Sequence, residues 1–185
     1  MSTKEKYRLK KELTKRLLFE LLKDSKRSDR ELAKVLQVSQ PTVTRRRNQM
    51  VEQGLIQGFT IIPDFVKIGY EIMAITLIKA MGIFTKKEYS DIRNQGLEWL
   101  KKEPAIIMGG ACEGMGMNAF ILSLHKSYSD YNKFMLKLRL EMGDFIDDLH
   151  SILVDLGATK RLKPLHLKYL AEGEEPSQQI KLDSK

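Results

Sequence analysis

Side chains that can hydrogen-bond to nucleic acid cluster between residues 34 and 47. Amide and guanidinium groups pair with the edges of adenine and guanine, and other basic side chains contact phosphate. The candidates for base contacts are Ser39, Gln40, Thr42, Thr44 and Arg45, and the candidates for phosphate contacts are Arg46, Arg47 and Lys34. These residue types predict a surface that binds the major groove of double-stranded DNA.

The net positive charge of the chain is confined to the same region. Residues 1–57 contain fifteen Lys and Arg against seven Asp and Glu, whereas residues 58–185 contain seventeen of each. A basic segment joined to an electrically neutral one is typical of a polyanion-binding module attached to a second domain. The charge distribution therefore favours DNA as a partner of the first segment.

Capping signals predict the helices that must hold these side chains. A helix from Lys4 to Lys23 comes first, and Ser28 with Glu31 forms a capping box for a helix from Asp29 to Leu36. A tight turn follows, and Ser39 is placed to cap the next helix, which has Pro41 in its first turn and ends near Gln53, before Gly54. This is a helix-turn-helix pattern, in which Val43 and Met50 would face the domain and the second helix would enter the groove.

The remainder of the chain predicts a second, mixed domain. Residues 55–62 have β character and predict a wing or linker strand, and residues 64–69 predict one helical turn. Strands are then predicted at 71–79, 105–110, 118–125 and 146–156, with helices at 86–102 and 129–142. We expect Tyr89, Ile92, Leu97, Trp99 and Leu100 on the buried side of the first of these helices, and we expect Ser129 to cap the second, which Gly143 ends.

The predicted fold class is therefore α+β. A winged-helix or helix-turn-helix domain (1–57) is followed by a hinge (58–69), a ferredoxin-like βαββαβ domain (70–171) and a disordered tail (172–185). No apolar run reaches the length of a membrane span and no secretory signal is recognisable, so we expect a cytoplasmic protein without membrane contact.

Several stretches of the first 70 residues resemble the Lrp/AsnC transcription regulators of bacteria and archaea. The stretches are 28–36, 38–46, 54–60, 63–64 and 67–70, and beyond residue 80 the likeness lies mainly in the order of elements. The resemblance implies a sequence-specific DNA-binding regulator that forms homodimers, and in some members octamers, through the sheets of its second domain. It further implies that the strand at 55–62 pairs with its counterpart in the other subunit, and that an amino acid is a possible effector.

The sequence departs from that family at three places. Gln37 stands where glycine is common, Arg47 stands where an apolar residue is usual, and the loop between the second and third strands has neither the acid nor the aromatic residue of the family. We named Gly114, Met115, Gly116 and Met117 as effector-binding candidates, although a role of the glycines in a tight strand connection is the favoured interpretation.

The chain gives no pattern for catalysis. It has a single cysteine, Cys112, its three histidines lie on different predicted elements, and it lacks the phosphate-binding loop, serine elbow and zinc motifs. We therefore predict no catalytic residue, no metal ion and no cofactor. Two alternatives stay open: an enzyme of Lrp/AsnC architecture, such as a siroheme decarboxylase, and a protein that packages DNA without sequence preference.

Overall fold

The computed structural model describes residues 3–81, 86–158 and 163–173, without the side chains of residues 3–6, 86–89 and 91–93. They form two compact units, one ending at Ile62 but including residues 163–173, the other running from Pro63 to residue 158. Residues 163–173 thus group with the N-terminal helices, although we predicted them within a domain at 70–171. The predicted tail from 174 lies outside the described residues.

The elements follow the order expected for a helix-turn-helix domain and a ferredoxin-like domain. They are α1 (Thr3–Lys23), α2 (Asp29–Leu36), α3 (Gln40–Glu52), β1 (Ile72–Ala80), α4 (Lys86–Lys102), β2 (Ile106–Gly114), β3 (Met117–His125), α5 (Tyr128–Met142), β4 (Ile146–Asp155) and α6 (Lys168–Glu172). None of the helices in the described ranges is long and apolar enough to cross a membrane.

The first three helices pack around one small apolar core. Its buried members come from all three helices and are Leu17, Leu21, Leu32, Ala33, Leu36, Val43 and Met50. The predicted capping box begins α2, because the Ser28 hydroxyl accepts the Glu31 N–H and a Glu31 carboxylate oxygen accepts the Ser28 N–H at 2.7 Å. Local capping and the core together fix where α2 and α3 lie.

The turn between α2 and α3 differs from expectation in two ways. Gln37 has a φ of 57°, a left-handed conformation that costs a residue with a Cβ about 1–2 kcal/mol. Ser39 occupies the N-cap position of α3 but makes no capping hydrogen bond, and its hydroxyl instead lies 2.8 Å from that of Thr42. The prediction that Ser39 caps α3 through its side chain was therefore wrong.

Residues 55–62 do not form the predicted strand. The segment has irregular backbone and its apolar side chains are open, with Phe59 56% and Ile61 77% exposed. A β-strand is stabilised only by hydrogen bonds to a neighbouring strand, and the described chain provides none for this segment. The turn predicted at 64–69 does form, because the Ile68 N–H donates to the Asp64 carbonyl and the Tyr70 N–H to that of Phe65.

The C-terminal helix α6 completes the N-terminal unit. It packs against α1, and Ala171 is only 1% exposed, whereas its neighbour Leu170 is 61% exposed. The ammonium group of Lys163 lies 3.8 Å from the centre of the Tyr169 ring, a cation–π contact that fixes the approach to α6. The unit is therefore built from both ends of the described chain.

The second unit is a four-stranded antiparallel sheet with helices on one face. The strand order β2-β3-β1-β4 is the ferredoxin-like arrangement that the sequence predicted. Ala74, Ile78 and Ile121 point from the sheet toward the helices. The buried helical side chains that cover them are Trp99, Tyr131, Phe134, Met135, Leu138 and Met142.

Four details of this unit differ from the predictions. β2 continues to Gly114 rather than ending at 110, and Leu97 is 43% exposed, while Trp99 and Leu100 make the contacts. The side chains of Tyr89 and Ile92 lie outside the described residues. The N-cap of α5 is Ser127, whose hydroxyl accepts the Asp130 N–H at 3.2 Å, and not Ser129. A 3₁₀ turn at Gly143–Phe145 follows α5, so Gly143 keeps a right-handed conformation and does not end the helix by a left-handed one.

A histidine is buried where β3 meets α5. The His125 Nε2 atom lies 2.8 Å from the Ser123 hydroxyl, and its Nδ1 atom lies 3.9 Å from an Asp130 carboxylate oxygen. The His125 ring packs against the rings of Tyr131 and Phe134. Burial lowers the pKa of His125, although the Asp130 charge opposes this. Ser123 and His125 are 0% and 1% exposed, so this Ser–His–Asp arrangement is closed to any substrate and belongs to the core.

We expect Ala171→Glu to destabilise the N-terminal unit by about 2 kcal/mol or more, because the carboxylate would be buried without a partner. Leu170→Glu, at the exposed neighbouring position, should change stability by less than about 0.5 kcal/mol. Hydrogen exchange of peptides from α1 measures the effect in each variant. Equal protection of α1 in the two variants would contradict the packing of α6 on α1.

We expect the sheet unit to lose stability as the pH falls below about 6.5, the ordinary pKa of histidine. The folded state has the lower His125 pKa, so the unfolded chain binds the proton first, and acid favours unfolding until the folded pKa is reached. His125→Gln should flatten this part of the curve of unfolding free energy against pH. His150→Gln, on the exposed end of β4, should leave the curve as it is; a flattening by His150→Gln alone would refute the assignment.

Candidate DNA-binding surface

One side of α3 is an open polar surface. Gln40, Pro41, Thr44, Arg45, Asn48, Gln49 and Glu52 line a shallow depression along it. These positions recur at steps of three and four, whereas Val43, Arg46 and Met50 on the opposite side are buried. Three of the five predicted base-contacting residues, Gln40, Thr44 and Arg45, thus lie together on one exposed helix face.

Asn48 is a candidate that sequence reasoning missed. It is exposed and lies one turn beyond Thr44, so that Gln40, Thr44 and Asn48 form a row along the helix. Its amide group offers the same donor and acceptor pair as Gln40, which matches the major-groove edge of adenine. The spacing of four residues from Thr44 was the signal that could have identified it. Glu52 ends the row with a negative charge.

The remaining predicted contact residues differ in their accessibility. Ser39 is exposed and Thr42 is half-buried, and their hydroxyls bond to each other at the start of α3. Lys34 is exposed on α2. The role of these residues in DNA contacts stays a prediction, with Lys34 open to a phosphate group.

Arg46 points inward. Its residue is 9% exposed, and one of its terminal nitrogens donates to the Gln49 side-chain oxygen at 3.1 Å. Burial, and next the charge of Arg45, lowers the pKa of Arg46, but arginine remains protonated at neutral pH. Its Nε atom has no hydrogen-bond partner among the described residues. The predicted phosphate contact of Arg46 therefore lacks the exposure that such a contact needs.

Arg47 forms an ion pair within the unit. Its guanidinium group lies 2.8 Å from an Asp29 carboxylate oxygen and donates to the Arg27 carbonyl at 3.1 Å. The other Asp29 oxygen accepts the Thr44 hydroxyl at 2.6 Å. We call Asp29, Thr44 and Arg47 the Asp29 clamp. Because the clamp occupies the Arg47 charge, the structure places Arg47 in a contact between α2 and α3 rather than toward the phosphates we predicted.

The effector-binding candidates form the tip of the β2–β3 hairpin. Gly114 pairs with Met117 across a two-residue turn, in which Met115 and Gly116 have φ values of 54° and 76°. Positive φ at both central residues is the usual geometry of such a turn and explains the glycine at 116. Met115 is 87% exposed and Met117 is 7% exposed. This geometry supports the interpretation of a tight strand connection, and effector binding by these residues stays a prediction.

Comparison with known proteins agrees with the helix-turn-helix geometry. Residues 10–57 match the winged helix-turn-helix DNA-binding family. An HTH-type transcriptional regulator of Pyrococcus abyssi is 45% identical over 71 residues, which are 38% of this chain and 48% of the relative. The chain thus aligns with about half the length of the first curated relatives it matches.

Two further matches extend into the second unit. The HTH-type transcriptional regulator FL11 of Pyrococcus horikoshii is 26% identical over 144 residues, which cover 76% of this chain and 80% of the relative. The crystal structure of an AsnC family transcriptional regulator from Agrobacterium tumefaciens matches with a TM-score of 0.67 at 20% identity, over 85% of this chain and 97% of that one. Its sheet and helices have the architecture described above. Together with the N-terminal motifs, these matches identify the chain as a member of the Lrp/AsnC family.

Proposed function

We propose that this protein is a sequence-specific DNA-binding transcription regulator that acts as a homodimer. The single observation that carries the proposal is the outer face of α3, on which two amides and a guanidinium group lie along one exposed row. The relatives that match the chain are transcriptional regulators, which favours this function over an enzymatic one. The outer face offers sequence-reading groups, which favours a regulator over a nonspecific packaging protein.

The chemistry of the outer face suggests which bases it reads. Gln40 and Asn48 each offer a donor and an acceptor suited to adenine, and Arg45 between them offers two donors suited to guanine. Lys34 on α2 supplies a positive charge that positions the helix against the backbone without reading sequence. The Asp29 clamp keeps α3 in a fixed orientation while these contacts form.

The uncovered face of the sheet is the surface we propose for dimerisation. The register places the apolar side chains Met73, Ile75, Leu77, Met108, Phe120, Leu122, Leu124, Ile152 and Val154 on the face opposite the helices. Met108 and Ile152 are 57% and 58% exposed. A continuous apolar surface of this kind marks an interface, and a second copy presents the same surface in a two-fold arrangement. Two recognition helices would then be presented to a two-fold DNA site. Higher assembly and an amino-acid effector stay part of the proposal without a site of their own.

We expect Arg45→Ala to reduce discrimination between a selected duplex and a scrambled duplex by about tenfold or more, because a two-donor contact to a base is lost. Lys34→Ala is the matched control, since it should weaken binding to both duplexes alike and make the slope of log K against log salt shallower by about 0.9. Fluorescence anisotropy titrations at several salt concentrations measure both quantities. Equal losses on the two duplexes for Arg45→Ala would contradict base reading by this residue.

We expect Ile152→Asp to raise the dissociation constant of the dimer at least about tenfold, because a charge would replace an apolar contact at the interface. Leu140→Asp on α5, where Leu140 is 77% exposed and away from this face, should leave the constant unchanged. Sedimentation equilibrium of each variant measures the mass against concentration. A wild-type protein that stays monomeric, or equal dissociation in both variants, would exclude the sheet face as the interface.

A further inference from the structure

Thr44 lies at the centre of the outer face of α3, one turn from Gln40 on one side and from Asn48 on the other. Its hydroxyl oxygen lies 2.6 Å from a carboxylate oxygen of Asp29 and 3.2 Å from the carbonyl oxygen of Gln40. Both partners accept hydrogen bonds and cannot donate in these contacts when Asp29 is ionised. The Thr44 hydroxyl is therefore the donor.

The single hydrogen of this hydroxyl belongs to the contact with Asp29. A bond to an ionised carboxylate at 2.6 Å is shorter and stronger than one to a neutral carbonyl at 3.2 Å. Asp29 stays ionised because Arg47 lies 2.8 Å away and because the carboxylate stands in the first turn of α2, where the helix dipole favours negative charge. Nothing is left on the hydroxyl to donate to a base.

The same contacts fix which part of Thr44 faces outward. They hold the hydroxyl oxygen toward α2 and toward the preceding turn of α3, and the remaining substituent on the β carbon is a methyl group. In the major groove, thymine is the base that carries a methyl group, and threonine methyl groups contact it. The polar side chain thus offers an apolar contact at the middle of the reading face.

We infer that Thr44 is a specificity-determining residue that selects a thymine through contact between its side-chain methyl group and the 5-methyl group of the base. The inference rests on the proposed function, since it concerns how the same face reads DNA. The Asp29 clamp acts here as a positioning device, because it turns the hydroxyl away from the groove. Thr44 would otherwise accept or donate to several bases and contribute little discrimination.

The test compares thymine with uracil, which lacks only the 5-methyl group. A duplex is first selected by the full-length protein from a random-sequence pool, and each thymine of the half-site is then replaced singly by uracil. At one position we expect uracil to weaken wild-type binding about threefold to fivefold, the effect of one methyl group removed from an apolar contact.

Two variants separate the methyl group from the hydroxyl group. Thr44→Ser keeps the hydroxyl, and with it the bond to Asp29, and should bind the thymine and uracil duplexes equally. Thr44→Val keeps a methyl group at the same place and should retain the discrimination, with thermal unfolding used to confirm that both variants are folded. Retained discrimination in Thr44→Ser, or no uracil effect at any position in the wild-type protein, would overturn the inference. A selection that enriches no sequence would instead overturn the proposed function.

Discussion

The orientation of α3 depends on one carboxylate group. Asp29 stands at the first position of α2 and contacts α3 through Thr44 and Arg47, which lie nearly one turn apart on that helix. An apolar core alone would hold α3 at a given distance but leave its rotation about the helix axis less certain, since apolar contacts have no direction. The two polar contacts are directional and are partly shielded from water, so they fix the rotation that presents Gln40 and Arg45.

The second unit solves a different packing problem. A sheet that is covered by helices on one face leaves its other face apolar only if something else removes that face from water. Here the register puts nine apolar side chains on the uncovered face, while the covered face contains the buried polar groups Thr76, Ser123 and His125. The distribution is the reverse of what a monomeric sheet would favour, and it makes self-association the natural completion of this fold.

The helix bounds around the turn could be predicted because their determinants are local. The capping box at Ser28 and the glycine at 54 mark the ends of elements within a few residues of themselves. Two predictions failed because their determinants are distant in sequence. Arg47 and Asp29 are brought together only by folding, so the ion pair could not be recognised in the arginine run. Residues 55–62 have the composition of a strand, but strand formation depends on a partner that composition does not specify.

Some of the site was predictable and some was not, for the same reason. Gln40, Thr44 and Arg45 follow the helical period, and so does Asn48, which the same period should have revealed. Arg46 and Arg47 are neighbours of Arg45 and carry the same charge, yet one is buried and one is paired. Residue type indicates what a group could contact, whereas the helix rotation decides which groups reach solvent.

The packing of α6 against α1 has a consequence for how the protein is made. The sheet unit is one continuous stretch of chain, so it has all its parts once residue 158 has left the ribosome. The helix-turn-helix unit must wait for its final helix, which is synthesised last although the other three are synthesised first. During translation the N-terminal helices therefore remain without one of their neighbours, and the usual order in which the leading domain matures first is reversed.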